Sequence, residues 1–234
     1  MMVADATPRP GARHNRRTML RLHNYFRSSA AFRVRIALEL KGLDYEYVAH
    51  HLLKDGGAQF SAAFTALNPQ QLVPALETEQ GVLTQSMAII EWLEETHPQP
   101  PLLPAEPFER ARVRALAQAI ACEIHPLNNL RVLRYLVKDL GLSEDAKNRW
   151  YRHWVETGLA QFEQLLARSP ATGRYCHGDR PGFADCLLVP QVFNARRMQC
   201  DIDGLPTIGR IVAACMELPA FQRAAPASQP DNEA

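Results

Sequence analysis

The chain has 234 residues, of which 47% are hydrophobic and 22% charged, with a formal net charge of +1. That is enough chain for one large or two small domains at ~100–200 residues each, and the balance is that of a soluble globular protein whose core needs no covalent staples. A charge so close to zero gives no global attraction to nucleic acid or to an anionic membrane, and no apolar run approaches the ~20 residues that span a bilayer.

Residues 1–18 differ from the rest. Thr7-Pro8-Arg9-Pro10-Gly11 cannot form a helix interior, and Arg9, Arg13, Arg16 and Arg17 make the stretch basic. It has no apolar segment like that of a secretory signal. It reads as a disordered extension, with Met19 as a working start; an organelle transit peptide is the other reading of an arginine-rich, acid-poor start. From Leu20 the pattern becomes strand 20–25, helix 30–41 and strand 45–49, with Gly42 placed to close the helix. A helix over 58–66 follows the Gly56-Gly57 break. A turn at Asn68-Pro69-Gln70-Gln71 leads to a hairpin of 73–76 and 82–84, then to a helix from Ser86 to Thr96. This order, βαβα-ββα, is a thioredoxin-like arrangement and assigns residues 19–98 to one α/β domain.

Pro98, Pro100, Pro101, Pro104 and Pro107 mark 99–107 as a linker. Residues 108–234 then read as an all-helical domain. Val113, Leu116, Ile120 and Ile124 keep helical spacing until Pro126, which ends or kinks that helix. Trp150, Trp154, Phe162, Leu165 and Leu166 mark the next helix, and core packing is the reading of all five. Two more helices cover 183–198 and 205–217.

The five cysteines are odd in number and none is spaced C-x-x-C, so a disulfide framework or zinc site is not expected and a reducing compartment is. The eight histidines form no HExxH. His50-His51 reads as the surface end of a strand, and no metal site is expected.

Three joints can carry chemistry. Ser28-Ser29 sits where a strand turns directly into a helix. Free N–H groups and the helix dipole favour an anion there, and a serine either caps the helix or donates to that anion. Val73-Pro74 opens a strand, where proline is tolerated. Gln85-Ser86 is a second strand-to-helix joint, open to the same two readings as the first.

Together these joints resemble the glutathione site of glutathione transferases. Tyr25-Phe26-Arg27-Ser28-Ser29, Arg33-Val34-Arg35-Ile36-Ala37-Leu38, Lys54-Asp55-Gly56-Gly57, Ala66-Leu67-Asn68-Pro69, Gln85-Ser86-Met87-Ala88-Ile89-Ile90-Glu91 and Leu188-Val189-Pro190-Gln191-Val192 resemble the zeta class in particular. That class includes maleylacetoacetate isomerases and the similar bacterial maleylpyruvate isomerases. The resemblance spans Leu20 to about Pro230 and implies a thioredoxin-like domain followed by an all-α domain. It also implies a cytoplasmic homodimer with glutathione as cofactor and a small dicarboxylate as substrate. The reaction implied is the cis–trans isomerisation of maleylacetoacetate in aromatic amino acid (tyrosine) catabolism.

By the same resemblance, Ser28 stabilises the glutathione thiolate, with help from Ser29. Val73, before a cis proline, pairs with the cysteinyl part, Gln85 and Ser86 hold the γ-glutamyl end, and Gln59 is a further contact. His125, Asn129 and Arg131 form a contact segment from the second domain. Arg197 matches a family arginine near the substrate carboxylate, and Arg27, by its place immediately before Ser28, lies near the thiol and is suited to orient the substrate's charge. Arg196 lies about 100° around the helix from Arg197 and cannot share that role equally.

Isomerisation of this kind has a simple physical basis. A thiolate adding to a conjugated cis alkene makes the bond single, rotation follows, and expulsion gives the trans isomer with glutathione regenerated. A free thiol titrates near pH 8.5, so the protein must favour the thiolate. Departures from the family pattern are Ala30 for a frequent cysteine, Leu130 where maleylpyruvate isomerases have arginine, and Gly182 where a Ser/Thr cap is usual. Position 125 is histidine, as in those bacterial isomerases, where eukaryotic members tend to carry glutamine. Maleylpyruvate isomerisation, glutathione conjugation or dehalogenation, and a non-catalytic interaction module on the same fold remain alternatives.

Overall fold

The structure, a computed structural model, describes residues 20–232. The disordered extension expected over 1–18 lies outside them. The first elements are β1 (Leu20–Asn24), α1 (Ser29–Lys41), β2 (Tyr45–Ala49), α2 (Ala62–Leu67), β3 (Ala75–Thr78), β4 (Gly81–Thr84) and α3 (Ser86–Thr96). The strands form one sheet in the order β2-β1-β3-β4. β1 runs parallel to β2 with Leu22 opposite Tyr47, and antiparallel to β3 with Leu22 opposite Leu76. β4 closes the hairpin with β3. Gly42 caps α1 in the left-handed region, at φ 63°, which glycine enters at no steric cost.

The helix expected over 58–66 is divided. Ala58–Phe60 is a single 3₁₀ turn, and α2 begins only after Ser61. The Ser61 hydroxyl accepts the Phe64 N–H at 3.2 Å. A residue capping in this way holds an extended backbone, so the helix must start afresh beyond it.

From residue 107 onward the elements are helical: α4 (Pro107–Gln118), α5 (Leu130–Lys138), α6 (Glu144–Ala167), α7 (Phe183–Arg197), α8 (Pro206–Met216) and α9 (Pro219–Ala224). Beyond Gln118 the chain widens into a π-helical turn, Ala119–Ile124, and tightens into a 3₁₀ turn at His125–Asn128. The regular α-helix thus ends at Gln118, short of the run to Ile124 that the spacing predicts, and Pro126 lies in the 3₁₀ turn beyond. In α6 the buried face is Tyr151, Val155, Leu159, Phe162 and Leu166. Leu165 is 54% exposed, and Trp150 and Trp154 are only half-buried. Trp150 lies at the edge because its indole N–H donates to the Leu127 carbonyl at 2.7 Å. Core packing thus holds for Phe162 and Leu166 and fails for the other three.

One core runs through both parts of the chain. Leu22, Leu76, Phe32, Ile36, Ile89 and Leu93 join Val113, Leu188, Val192 and Phe221 in a single apolar cluster. α1 lies at its centre, in contact with α3, α7 and α9. The proline-rich segment is fastened beside it. Lys41 Nζ meets Glu94 Oε2 at 2.8 Å and the carbonyls of His97 and Pro100. The same carboxylate accepts the N–H groups of Leu102 and Leu103. This buried pair is hydrogen-bonded on both sides, the condition under which such a pair is tolerated.

Gly182 caps α7 as expected, and the Asp185 carboxylate accepts its N–H at 2.8 Å. The structure gives a reason for glycine: a Cβ there would stand 2.8 Å from the Leu102 carbonyl oxygen.

Candidate active site

A cleft of about 600 Å³ opens between the sheet and the helices. One wall begins where β1 ends. The loop Tyr25–Arg27 is held from below by Arg35, a fully buried side chain of α1. It donates to Asn24 Oδ1 at 3.0 Å and to the carbonyls of Tyr25, Phe26 and Ala224 at 3.4, 2.9 and 2.9 Å. From the C-terminal end, the Asp231 carboxylate accepts the Phe26 N–H at 3.1 Å and the Tyr47 hydroxyl. Arg27 then turns back on its own loop. Its Nε and Nη2 lie 3.1 and 2.8 Å from the Tyr25 hydroxyl, and its guanidinium sits 5.0 Å from the centre of the Phe26 ring.

Ser28 caps α1, its Oγ accepting the Ala31 N–H at 3.2 Å. A hydroxyl also carries one proton, and with its acceptor side turned to the helix that proton is available to the cleft. No acidic residue stands in the first turn of α1, so no carboxylate competes for the positive end of the dipole. Ser29 is buried, with Oγ 3.1 Å from His125 Nδ1. His125 keeps an edge toward the cleft, but burial, followed by the nearby Arg33 cation, pushes its pKa down to about 3. It is neutral at physiological pH.

Val73 precedes a cis proline, Pro74, and lines the opposite wall. Gln59 is buried beside it with Nε2 3.4 Å from the Leu52 carbonyl, and its Oε1 has no partner among the described residues. The same holds for Asn128 Nδ2. Asn129 caps α5, Oδ1 accepting the Arg131 N–H at 3.1 Å. Asn129, Arg131 and Arg197 all line the cleft; Arg196 does not.

Nine of the residues singled out from sequence therefore meet in one cleft: Arg27, Ser28, Ser29, Gln59, Val73, His125, Asn129, Arg131 and Arg197. Gln85 and Ser86 lie outside its lining. Gln85 Nε2 donates to Gln70 Oε1 at 3.0 Å, and Gln70 belongs to the cleft wall. Ser86 is buried and accepts from Arg33 Nη1 at 3.3 Å. The reading of His50 as a surface residue is corrected. It is half-buried, with Nε2 2.8 Å from His23 Nδ1 and the two rings stacked. Burial and then His23 push its pKa down to about 4. Among the described residues, no group of three or more side chains is arranged to hold a metal ion.

Other cleft residues were not singled out from sequence: Asn128, Arg134, Asp139, Lys147, Tyr151 and Asn194. Arg134 bridges the two walls, donating to the Leu52 carbonyl at 2.9 Å with its guanidinium 5.9 Å from the Phe60 ring centre. Burial pushes the Tyr151 phenol up to about 12, against the opposing pull of Arg197, so it remains a proton donor. The signal for these residues was periodic spacing: Arg131 and Arg134 are i,i+3, and Lys147 and Tyr151 are i,i+4, so each pair shares a helix face.

Comparison with known proteins bears directly on this geometry. A family model described as the glutathione S-transferase N-terminal domain matches residues 22–101. A maleylpyruvate isomerase of a Ralstonia species is 55% identical over 213 residues, covering 91% of this chain and 100% of the relative. The chain belongs to the zeta-class glutathione transferase family. A solved holo structure of a maleyl pyruvate isomerase, a bacterial glutathione S-transferase of the zeta class, superposes with a TM-score of 0.88. It is 55% identical and covers 91% of this chain and 100% of its own. The maleylacetoacetate isomerase of Anaeromyxobacter dehalogenans, solved with glutathione in its active site, is 47% identical with a TM-score of 0.82, covering 92% of this chain and 98% of its own. Ala30 lines the cleft at the position where zeta-class transferases often carry a cysteine.

The cleft fits glutathione by its own chemistry. It offers a hydroxyl donor at a helix N-terminus for a thiolate, an orphaned carbonyl oxygen on Gln59 for an N–H, and an orphaned amide donor on Asn128 for a carboxylate.

Proposed function

We propose that this zeta-class transferase is a glutathione-dependent cis–trans isomerase converting maleylacetoacetate to fumarylacetoacetate, working as a cytoplasmic homodimer. The observation that carries the reading is the opening of the α1 N-terminus, with Ser28 as its cap, into the same cleft as Arg27, Arg131 and Arg197. Thiolate stabilisation and dianion binding are thereby supported side by side.

Glutathione supplies the nucleophilic sulfur that makes rotation about the double bond possible and is returned unchanged. The remaining tasks belong to the protein. Ser28 donates its hydroxyl proton to the sulfur, and the dipole of α1 favours the negative charge there. Neutral His125 fixes the Ser29 hydroxyl. Gln59, Val73, Asn129 and Arg131 hold the tripeptide, with Gln85 and Ser86 at its γ-glutamyl end. Arg197 and Arg27 orient the substrate carboxylates, the planar fork of each matching a carboxylate through two hydrogen bonds. Position 30 has no thiol, so no step uses one there.

Several features support the assembly and compartment. Phe108 is 75% exposed and Val82 lies on the outer strand β4, apolar groups that a second copy would cover. All five cysteines are free, as a reducing compartment requires. Among the described residues no helix is long and apolar enough to cross a membrane.

A second substrate is favoured by one observation, the 55% identity to the Ralstonia maleylpyruvate isomerase. Against it stands Leu130 on the cleft wall, where the pattern of those isomerases calls for arginine. The role of Ser28 is tested by Ser28→Ala. Titration of the thiolate absorbance of bound glutathione should show a raised pKa and turnover at pH 7 should fall. An unchanged titration would assign the stabilisation to another donor.

A further inference from the structure

Two arginines of α1 are buried two residues apart, and they are treated differently. Each nitrogen of Arg35 has an acceptor, on the loop it clamps or on Asn24 and Ala224. Arg33 is 2% exposed and makes a single hydrogen bond, Nη1 to Ser86 Oγ at 3.3 Å. Its Nε and Nη2 meet no acceptor among the described residues, although burial lowers its pKa only to about 10 and leaves it charged at neutral pH. A buried donor without a partner is destabilising, and more so when it is charged.

The placement of this cation gives it a use. Arg33 stands one turn beyond Ser29 on the same face of α1. It is close enough to His125 to shift that ring's titration, and it touches the first residue of α3. We propose that Arg33 is a positioning residue for the glutathione α-carboxylate at the γ-glutamyl end, acting through Ser86. The inference rests on the assignment of Ser86 to that end of glutathione.

Hydrogen-bond direction decides what Ser86 can offer a ligand. A serine hydroxyl has one proton and two lone pairs. Arg33 occupies the acceptor side of Ser86 Oγ, so the Ser86 proton is turned to a different partner. α3 starts at Ser86 after Gln85, whose backbone is left-handed at φ 68°, and the first N–H groups of an 11-residue helix are available at the same place. A carboxylate bound there would receive the Ser86 hydroxyl and these N–H groups, with a full positive charge directly behind the serine. Low local polarity strengthens that charge, because little water lies between it and the anion. A carboxamide of the same shape would receive the same donors and gain far less from the charge.

The discriminating quantity is therefore a preference ratio. Glutathione and its analogue with the γ-glutamyl α-carboxylate converted to an amide are titrated calorimetrically into the full chain, Arg33→Gln, Arg33→Lys and Ser86→Ala. The full chain should prefer the carboxylate by at least about tenfold. Arg33→Gln should reduce that preference at least about fivefold, and so should Ser86→Ala. Arg33→Lys, which keeps the charge but not the fork, should fall between Arg33→Gln and the full chain. A general loss of stability would weaken both ligands alike and leave the ratio unmoved. Should Arg33→Gln fail to fold, the ratio in Arg33→Lys decides. A ratio equal to that of the full chain in a folded Arg33 variant overturns the proposal while leaving the isomerase reading intact. Failure of the full chain to bind glutathione would overturn both.

Discussion

Arg196 and Arg197 are adjacent in sequence, and only the second faces the cleft. If Arg197 orients a substrate carboxylate, Arg197→Ala should lose ~2–3 kcal/mol in kcat/KM, the range for a charged hydrogen bond. Glutathione affinity should stay within about twofold, since the lost contact belongs to the other ligand. Arg196→Ala should matter much less, and steady-state kinetics on both variants would expose equal losses as a contradiction. His125 gives a pH dependence of stability. Its folded pKa, about 3, lies below the unfolded value of ~6.5. The unfolded chain therefore binds a proton first on acidification, and stability falls as pH drops from about 6.5 toward 3. The slope is at most about 1.4 kcal/mol per pH unit, less in proportion to the hydration of the ring edge that faces the cleft. Denaturant melts of His125→Gln should show a shallower fall over that window, and identical slopes would remove His125 from the account. Candidate residues were legible where a motif carried them, and Ser28, Val73 and Arg197 do meet in the cleft. They were hidden where burial decides, because Arg33, Arg35 and His50 carry side chains that periodicity counts as surface.

At the scale of elements, the order of strands and helices followed from spacing and punctuation: the βαβ start and α3 lie where the pattern placed them, while the first hairpin strand opens at Ala75 and leaves Val73-Pro74 in the loop before it. The misreadings are local. A capping serine divided the helix over 58–66, and the apolar face of α6 runs through Tyr151 and Val155 instead of the tryptophans. Neither is visible without knowing what each helix packs against. The C-terminal segment was likewise silent in sequence. Asp231 reaches across 205 positions to hold the Phe26 N–H two residues before Ser28. Asp231→Ala leaves that N–H and the Tyr47 hydroxyl without their acceptor, and should cost about 1–3 kcal/mol in stability. It should also lower kcat/KM, because the loop that presents Arg27 and Ser28 loosens. Unchanged melts and kinetics together would show that Arg35 holds the loop unaided.

Over the whole molecule, charge is nearly balanced at +1, yet Arg27, Arg131, Arg134, Lys147 and Arg197 line the cleft against Asp139. Cationic side chains are therefore gathered where a dianion and a thiolate would meet. Such a cleft suits an isomerase, and it would also suit an enzyme that joins glutathione permanently to an acidic acceptor. The most direct measurement separates the two by stoichiometry: maleylacetoacetate is supplied in large excess over glutathione while product and free thiol are followed together. The account predicts many turnovers to fumarylacetoacetate per glutathione, with the free thiol concentration constant. Loss of one thiol for each substrate consumed would contradict it in favour of conjugation.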